Sequence, residues 1–323
     1  MISFVMTKSI PSPKLGIIIC TRNRPQLVEH LLQSISKSLV KPEQIVLVSS
    51  GMNIVNIISN FSKNLNLIHV HTEKVGQSNQ KLIGIASLSK AVNWVFFLDD
   101  DLLLMPDTIN FALEKIDQVK TSNVAGIGTQ IVPLHKIASP KYSKTGNWPK
   151  NKLGVITKSG RAITYQSTEE IETEWLNGAS IWKKEVLNQY QLPILNSRYA
   201  AYEDVIFSTK INETHKLIFE PRIKIIEQIS HSDSKQSISA YSYINLWTGY
   251  FVCIDKRTRL SNFKILVILR LLKFLFQQIS LKNHQSKDFK LAFVLAWKLV
   301  WLPNDKVKSK EMILGLIKNQ ILS

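Results

Sequence analysis

The chain has 323 residues, of which 45% are hydrophobic and 20% are charged. These proportions are typical of a folded globular protein and exclude an intrinsically disordered chain. The formal net charge is +17, which indicates an anionic partner such as a phosphorylated substrate, a phospholipid surface or nucleic acid. No uncharged apolar segment reaches the ~20 residues that cross a bilayer, and residues 1–14 lack the apolar stretch of a signal peptide.

The two cysteines, Cys20 and Cys253, lie far apart and outside any Cys-x-x-Cys spacing. This pattern argues against a zinc site and against a disulfide framework. We therefore expect a cytoplasmic protein in which both thiols are ordinary packing residues.

The first 120 residues alternate between strand-like and helix-like segments. The apolar runs of strand length begin at Leu15, Gln44, Leu67 and Trp94. Helices are expected to follow these runs over 25–35, 54–61 and 106–119, and residues 76–91 are expected to form a loop that leads into a helix. This order predicts an α/β fold with a Rossmann-like, mostly parallel sheet flanked by helices. Residues 1–13 are expected to form a flexible leader.

The second half is less regular. Residues 133–170 are rich in Lys, Ser, Pro and Gly, which predicts a long loop with short strands that covers the substrate. The segment 175–182 predicts a strand pair or a strand with a turn. A helix is expected after Tyr202, and two late strands are expected over 216–220 and 223–226.

Residues 233–323 form a region of different composition. Between His231 and Ser323 there are 15 Lys and Arg residues against 5 Asp and Glu. The segments 263–279 and 289–302 combine dense apolar residues with spaced basic residues, which is typical of helices that lie in a membrane interface. The alternative is a pair of helices that pack on the main domain while their lysine side chains reach solvent. We predict a basic helical extension that associates peripherally with the inner face of a membrane.

A cluster of three carboxylates stands at the end of the fourth apolar run. The run from Trp94 to Leu98 is typical of a strand that is buried on both faces, and Asp99, Asp100 and Asp101 follow it directly. Burying three unpaired carboxylates would cost several kcal/mol, so a cation that carries phosphates is the natural ligand. The alternative is an acidic turn that caps the next helix, for which one aspartate is enough.

The position of this cluster also favours a ligand site. In open α/β sheets, ligands bind beyond the carboxyl ends of the strands. On an extended backbone Asp99 and Asp101 point to the same side. One of them could therefore hold a ribose or a base while the other holds a metal ion.

Three further polar clusters lie at predicted strand ends or adjacent turns. Arg22 and Arg24 follow the first strand, and their guanidinium groups suit phosphate or a base edge. Lys81 can reach an anion from the start of the third helix. Glu203 and Asp204 are well placed for general-base chemistry. The alternative for Arg22 and Arg24 is a pair of solvated side chains. The alternative for Glu203 and Asp204 is simple helix capping.

The motifs occur in an order that resembles a known family. The series GIIICTRNRP, IVLVSSG, the segment 76–84, FFLDDDL, NGASIW and YEDVIF is similar to that of the family 2 glycosyltransferases, and most of all to their rhamnosyl- and galactofuranosyltransferase-like members. The resemblance covers residues from about 14 to 231 and makes 14–232 the glycosyltransferase domain. It implies a GT-A fold, a nucleotide-diphosphate sugar donor, Mg²⁺ or Mn²⁺ as cofactor, and inversion at the anomeric carbon.

The resemblance also implies a role for each matching residue. The donor nucleotide sugar would be bound by Thr21, Arg22, Arg24, Ser50, Lys81, Asp99 and Asp100. The metal would be held by Asp101, which ends the Asp-x-Asp pattern, and by His231. Asp204 would be the catalytic base, Glu203 would bind acceptor hydroxyls, and Asn177 and Gly178 would lie beside the donor sugar and the acceptor.

Two positions depart from the family pattern. The second strand usually ends in an acidic residue that reads the base, whereas here it ends in Ser49 and Ser50. The loop before the fourth strand commonly carries an arginine, which Lys81 replaces here as a cation without a bidentate fork. The base of the donor nucleotide is therefore left open.

The sequence thus predicts an inverting, metal-dependent glycosyltransferase. Its acceptor would be a glycan or a lipid-linked precursor in cell-surface polysaccharide synthesis. The alternative is a non-catalytic nucleotide-sugar or glycan-binding protein, which the missing acidic residue favours. Nucleic-acid binding is disfavoured because the basic residues lie among long apolar runs. The GxGxxG and GxxxxGK[ST] patterns are both absent, which disfavours a nicotinamide dehydrogenase and a P-loop kinase.

Overall fold

Alternating strands and helices build the first half of the chain. The computed structural model describes residues 12–74, 76–134, 153–193, 201–228, 238–280 and 286–321. Four strands are β1 (Leu15–Arg22), β2 (Gln44–Ser50), β3 (Leu67–His71) and β4 (Trp94–Asp99). The helices between them are α1 (Pro25–Ser36), α2 (Val55–Phe61) and α3 (Gln77–Ser87). Strand β1 pairs in parallel with β2 and β4, and β2 pairs in parallel with β3, so the predicted parallel sheet is confirmed.

The remaining strands extend this sheet as a mixed sheet. They are β5 (Leu102–Leu104), β6 (Val124–Pro133), β7 (Ile171–Thr173), β8 (Ser180–Lys183) and β9 (Lys216–Glu227). Their helices are α4 (Thr108–Val119), α5 (Lys184–Gln189) and α6 (Glu203–Asn212). Within the described residues the sheet has nine strands in the order β3-β2-β1-β4-β8-β6-β9-β5, with β7 paired to β9. Strand β8 is antiparallel to both of its neighbours.

Side chains of β1 alternate between two cores. Ile17 and Ile19 join the cluster that includes α1 and α4, whereas Ile18 and Cys20 join the cluster that includes α3 and α6. Helices therefore cover both faces, which explains why this strand is a continuous apolar run. A Cβ atom on Gly84 would lie 2.5 Å from Ile18 Cγ2, so this glycine allows α3 to approach β1 closely.

Two expectations for the second half were wrong in detail. The segments 216–220 and 223–226 form one strand, β9, whose register with β6 shifts between Gly128 and Gln130. Pro221 lies at this irregularity, where its missing N–H does not interrupt a regular ladder. In the segment 175–182, a strand begins only at Ser180. Residues 135–152 of the predicted long loop lie outside the described part of the chain.

The C-terminal helices share a core with the start of α6. They are α7 (Ile238–Ile254), α8 (Leu260–Ser280), α9 (Ser286–Val300) and α10 (Lys306–Ile321). Tyr202 and Val205 lie in the same buried cluster as Trp247, Phe263 and Leu299. The helices predicted over 263–279 and 289–302 are present as α8 and α9. Among the described residues, no helix is long and apolar enough to cross a bilayer. The expected domain boundary at 232 lies outside the described part.

Candidate active site

The carboxyl ends of β1, β2 and β4 meet at one edge of the sheet. Cys20 is the register partner of Asp99, and Arg22 is the register partner of Ser50. The first turns of α3 and α6 lie at the same edge, because their side chains contact the strand ends and each other. This edge brings together the described residues that the sequence singled out.

Asp100 ties the end of β4 to the turn after β1. Its Oδ2 accepts a hydrogen bond from Thr21 Oγ1 at 2.7 Å, and its Oδ1 accepts one from Arg24 Nη1 at 3.0 Å. The same Arg24 Nη1 lies 3.5 Å from Asp101 Oδ2. Burial raises the pKa of Asp100, although Thr21 and Arg24 oppose this shift. Thr21, Arg24 and Asp100 therefore shape the edge by binding one another.

Asp99 points towards the loop before β8. Its Oδ1 accepts a hydrogen bond from Gln77 Nε2. A Cβ atom on Gly178 would lie 3.6 Å from Asp99 Oδ2 and 3.9 Å from Lys81 Nζ. Burial raises the pKa of Asp99, while the neighbouring Lys81 lowers it. The glycine therefore leaves open space directly in front of a carboxylate and an ammonium group.

Lys81 and Ser78 hold the carboxylate of Glu203. Lys81 Nζ lies 3.7 Å from Glu203 Oε1, and Ser78 Oγ donates to Glu203 Oε2 at 2.7 Å. Burial lowers the pKa of Lys81, but the charges of Glu203 and Asp99 outweigh it and raise the pKa overall. Lys81 therefore remains a cation, and it lies between two of the predicted site acids.

Asp204 combines a perturbed pKa with a position on a cleft. Burial raises its pKa to about 6, an effect that Lys81 opposes and Glu203 increases. Its Oδ1 accepts the backbone N–H of Val205 at 2.8 Å. Tyr202, two residues earlier, has a φ of 72°, a left-handed conformation that is uncommon for a non-glycine residue. A carboxylate with a pKa near 6 is suited to act as a general base close to neutral pH.

A small cleft lies beside Asp204. Its polar lining consists of Ser78, Lys81, Asn177, Gly178, Ser180, Glu203 and Asp204. Apolar side chains from Phe97, Leu176, Trp182, Leu192, Pro193 and Phe207 complete it. A pocket that combines apolar walls with convergent polar groups is typical of a small-ligand site.

Asn177 offers an acceptor to this cleft. Its backbone N–H donates to Tyr165 OH at 2.8 Å, which fixes the loop. Its side-chain Oδ1 is buried and has no hydrogen-bond partner among the described residues. Buried polar atoms without a partner are uncommon, so Asn177 Oδ1 is a candidate acceptor for a ligand hydroxyl.

The end of β2 is held by a residue that the sequence did not single out. Gln80 Nε2 donates to the carbonyl oxygens of Thr21 at 2.8 Å and Val48 at 3.1 Å, and it lies 3.5 Å from Ser50 Oγ. Gln80 thus fixes the ends of β1 and β2 relative to each other. The available signal in the sequence for this role was that Gln80 is a polar residue one helical turn before Gly84, the glycine that packs against β1. Arg22 is exposed at the same edge.

A divalent cation fits the chemistry of the three aspartates. Carboxylate oxygens are the ligands that Mg²⁺ and Mn²⁺ prefer. Burial raises the pKa of Asp99 and of Asp100, and the charge of Asp101 raises both further, so a cation here would relieve repulsion. The described residues contain no group of three or more His, Cys, Asp or Glu side chains arranged for a metal. Mg²⁺ is commonly bound by one or two carboxylates together with substrate phosphates, so a set of three protein ligands is not required.

Most predicted site residues lie at this edge. His231 lies outside the described residues, so its role as a metal ligand stays a prediction. The roles assigned to the other residues also stay predictions, although their proximity is a property of the structure. The sequence missed Gln77, Ser78, Gln80 and Tyr165 as individual contributors.

Comparison with known proteins finds similarity to glycosyltransferases. Residues 16–170 match the family model of glycosyl transferase family 2. No curated protein sequence matches the chain. The mannosyltransferase PcManGT from Pyrobaculum calidifontis, in complex with GDP-Man and Mn²⁺, is 15% identical with a TM-score of 0.55, over 97% of this chain and 88% of its own.

A second similar structure comes from S. aureus. Residues 1–349 of TarS in complex with UDP-GlcNAc are 15% identical with a TM-score of 0.56, over 95% of this chain and 91% of that chain. For the longer TarS chain, with 16% identity and a TM-score of 0.52, the match covers 83% of this chain but only 44% of that one. At these identities the likeness shows the fold alone.

Proposed function

We propose that this chain, whose residues 16–170 match the family model of glycosyl transferase family 2, is an inverting, metal-dependent transferase. It moves a sugar from a nucleotide-diphosphate donor to a glycan or lipid-linked acceptor. The observation that carries this proposal is the convergence of Lys81, Gly178 and Asp204 on one cleft, with the carboxylate of Asp99 next to Gly178. That cleft lies at the carboxyl ends of parallel strands, where open α/β sheets bind their ligands.

The donor would lie along the ends of β1, β2 and β4. Thr21, Arg22 and Ser50 line the nucleotide side, while Asp99 faces the open space at Gly178 and would bind hydroxyls of the sugar or ribose. Arg24 and Asp100 would act largely by shaping this edge, since each is a hydrogen-bond partner of the other. The similar structures were solved with GDP-Man and with UDP-GlcNAc, which supports a nucleotide-sugar donor here.

Asp101 would hold the metal ion, with His231 as the second protein ligand. When bound, Mg²⁺ or Mn²⁺ would neutralise charge that develops on the leaving diphosphate. The complex of PcManGT with Mn²⁺ supports this choice of cofactor.

Asp204 would act as the general base. Its carboxylate takes the proton of an acceptor hydroxyl, and the hydroxyl oxygen forms a new bond to the anomeric carbon of the donor sugar. The bond from that carbon to the diphosphate breaks, and the leaving nucleoside diphosphate keeps the electron pair. Because attack occurs opposite the leaving group in one displacement, the configuration at the anomeric carbon is inverted.

Glu203 and Asn177 would orient the acceptor. Ser78 and Lys81 fix the carboxylate of Glu203, so it is held ready to accept a hydrogen bond from a sugar hydroxyl. The buried Asn177 Oδ1, which has no partner among the described residues, is a second acceptor on the same cleft. Two fixed acceptors suit a substrate with several hydroxyl groups.

The acceptor belongs to cell-surface polysaccharide synthesis. A growing glycan that is linked to a lipid stays at the membrane, so its transferase would work as a peripheral protein on the cytoplasmic face. The concentration of positive charge after residue 231 supports this location.

The first experiment is thermal unfolding with UDP, GDP, TDP and CDP, each with and without Mn²⁺. A ligand at 100 times its Kd adds ~2.7 kcal/mol to stability, which shifts the midpoint visibly. Metal-dependent stabilisation by one nucleoside diphosphate is expected and would identify the donor base. If none of the four stabilises the protein, the donor site assigned here is wrong. Stabilisation without any sugar transfer to a panel of acceptors would favour a non-catalytic binding protein.

A further inference from the structure

Helices α8 and α9 carry apolar side chains on the side that faces away from the protein. Phe276 is 73% exposed, Trp301 is 67% exposed and Trp297 is 57% exposed. We call this surface the outer face. On α8 it consists of Ile265, Ile268, Leu269, Leu272 and Phe276. On α9 it consists of Leu291, Phe293, Val294 and Trp297, and it continues to Trp301, the residue that follows this helix.

The spacing of these residues makes the outer face continuous along each helix. On α8 the exposed positions recur every three or four residues, which places them on one side. On α9 the rings of Phe293 and Trp297 stack with centroids 6.4 Å apart, and those of Trp297 and Trp301 are 5.4 Å apart. Three aromatic rings therefore form a row in contact with solvent. Apolar surface of this extent usually marks an interaction site.

The two helices pack side by side on one buried core. Their inner residues, such as Phe263 and Val267 of α8 and Leu295 and Leu299 of α9, belong to one buried cluster. The helices also pack against each other. The helices are therefore neighbours over the C-terminal core, and their outward sides are adjacent.

The charges beside the outer face are positive. Lys273, Lys290 and Lys298 are exposed on the same helices. Helix α8 contains no acidic residue, and Asp288 is the one acidic residue in the sequence of α9. Arg270 does not contribute, because its Nη1 donates inward to Asn245 Oδ1 at 3.2 Å and Thr248 Oγ1 at 3.0 Å.

We propose that the outer face binds a bilayer that contains anionic phospholipid. Helices α8 and α9 would lie in the plane of the interface, with the aromatic row among the acyl chains and the lysines at the headgroups. Tryptophan rings favour that depth of a membrane. A second copy of this chain is a poorer occupant, because pairing two outer faces would bring like charges together. The proposal concerns this surface alone and does not depend on the transfer reaction.

Co-sedimentation with vesicles tests this proposal. The full chain is mixed with vesicles of phosphatidylcholine that contain phosphatidylglycerol, or with phosphatidylcholine alone. We expect binding to the anionic vesicles that weakens as salt is added. The double variant Trp297→Ser, Trp301→Ser should bind about 100-fold more weakly, since each buried large apolar side chain contributes roughly tenfold. Tryptophan fluorescence of the unmodified chain should be quenched by lipids brominated in the acyl chain.

The matched control is the double variant Leu39→Ser, Val55→Ser, which removes two other exposed apolar side chains. Leu39 is 74% exposed and Val55 is 51% exposed, so this variant also loses exposed apolar surface, but away from the outer face. This control should sediment like the unmodified chain, and circular dichroism should show that both variants are folded. The proposal is overturned if the chain does not sediment with anionic vesicles at low salt, or if both double variants bind equally. It is also overturned if the chain dimerises at micromolar concentration and the tryptophan variant is monomeric, because the outer face is then a subunit interface.

Discussion

Lys81 Nζ lies 3.7 Å from Oε1 of Glu203, and this ion pair joins the first turn of α3 to the first turn of α6. Both groups are largely buried, so the attraction between them is screened less than a surface pair would be. Lys81 also lowers the pKa of Asp204. One cation thus holds the neighbouring acid in place and keeps the proposed base closer to its ionised form.

Replacing Lys81 by methionine should move the pH dependence of transfer. Without the ammonium group, the pKa of Asp204 rises further above its present value of about 6, so a higher pH is needed to ionise the base. The acid limb of the profile of kcat/KM against pH should therefore shift to higher pH. Lys81→Arg keeps the charge and should leave the limb near its original position. An unchanged limb in Lys81→Met would show that Lys81 does not influence the base.

Replacing Asp204 by asparagine should remove general-base catalysis. We expect transfer to fall by about 10²–10⁴-fold, while metal-dependent donor binding is retained because Asp204 lies on the acceptor side of the proposed site. The measurements are kcat for transfer and the thermal shift with the nucleoside diphosphate. Near-normal transfer by this variant would contradict the assignment. Asp101→Ala is the complementary variant, since it should weaken metal-dependent donor binding.

The Asp204→Asn substitution should also stabilise the protein at neutral pH. The pKa of Asp204 is raised by burial from 3.8 to about 6, so the folded state binds the proton more tightly than the unfolded state does. Stability therefore falls as pH rises from about 4 through about 6, and it stays lower above that window. With about 1.4 kcal/mol per pKa unit, Asp204→Asn should gain ~3 kcal/mol at pH 7.5 and little at pH 3.5. Urea unfolding at the two pH values measures this difference, and an equal gain at both would contradict the raised pKa.

Much of the fold could be predicted because β1, β2 and β4 are buried on both faces. Helices cover the sheet on each side, so each of these three strands is a nearly continuous apolar run, whereas the edge strand β3 is only partly buried. The aspartates at the end of β4 stood out for the same reason, since they interrupt such a run. The predicted convergence of the polar clusters rested on the rule that ligands bind beyond the carboxyl ends of the strands in open α/β sheets.

Strand β6 could not be predicted from local pattern. Gly126 and Gly128 interrupt its apolar run, and glycine weakens a strand interior. The structure supplies the reason, because a Cβ atom on Gly126 would lie 2.8 Å from Leu176 Cδ1 and from Trp182 Cζ3. The glycines are required by side chains about 50 residues later in the chain. The role of Gln80 was equally hidden, since it depends on the carbonyl oxygens of two strands that only the fold brings together.

Replacing Thr21 by valine should destabilise the edge of the sheet. The hydroxyl of Thr21 donates to the buried carboxylate of Asp100 at 2.7 Å, and valine leaves that oxygen with one donor fewer. Loss of a hydrogen bond to a charged group costs about 1.5–3 kcal/mol. Thr164→Val is the control, because Thr164 is exposed and its hydroxyl accepts one long hydrogen bond of 3.3 Å. Chemical denaturation should show a loss for Thr21→Val alone, and equal stabilities would mean that the bond to Asp100 contributes nothing.

Replacing Gly178 by alanine should impair donor binding without unfolding the protein. The added methyl would lie 3.6 Å from Asp99 Oδ2 and 3.9 Å from Lys81 Nζ, which are ordinary contact distances, so the fold can accept it. It would nevertheless fill the space in which the donor sugar is proposed to lie, and the KM for the donor should rise about tenfold or more. Gly315→Ala in α10 is the matched control, because no atom lies within 4 Å of the added methyl. Alanine at that helical position should stabilise the protein by about 0.5–1 kcal/mol and leave the KM unchanged. A normal donor KM in Gly178→Ala would place the sugar elsewhere.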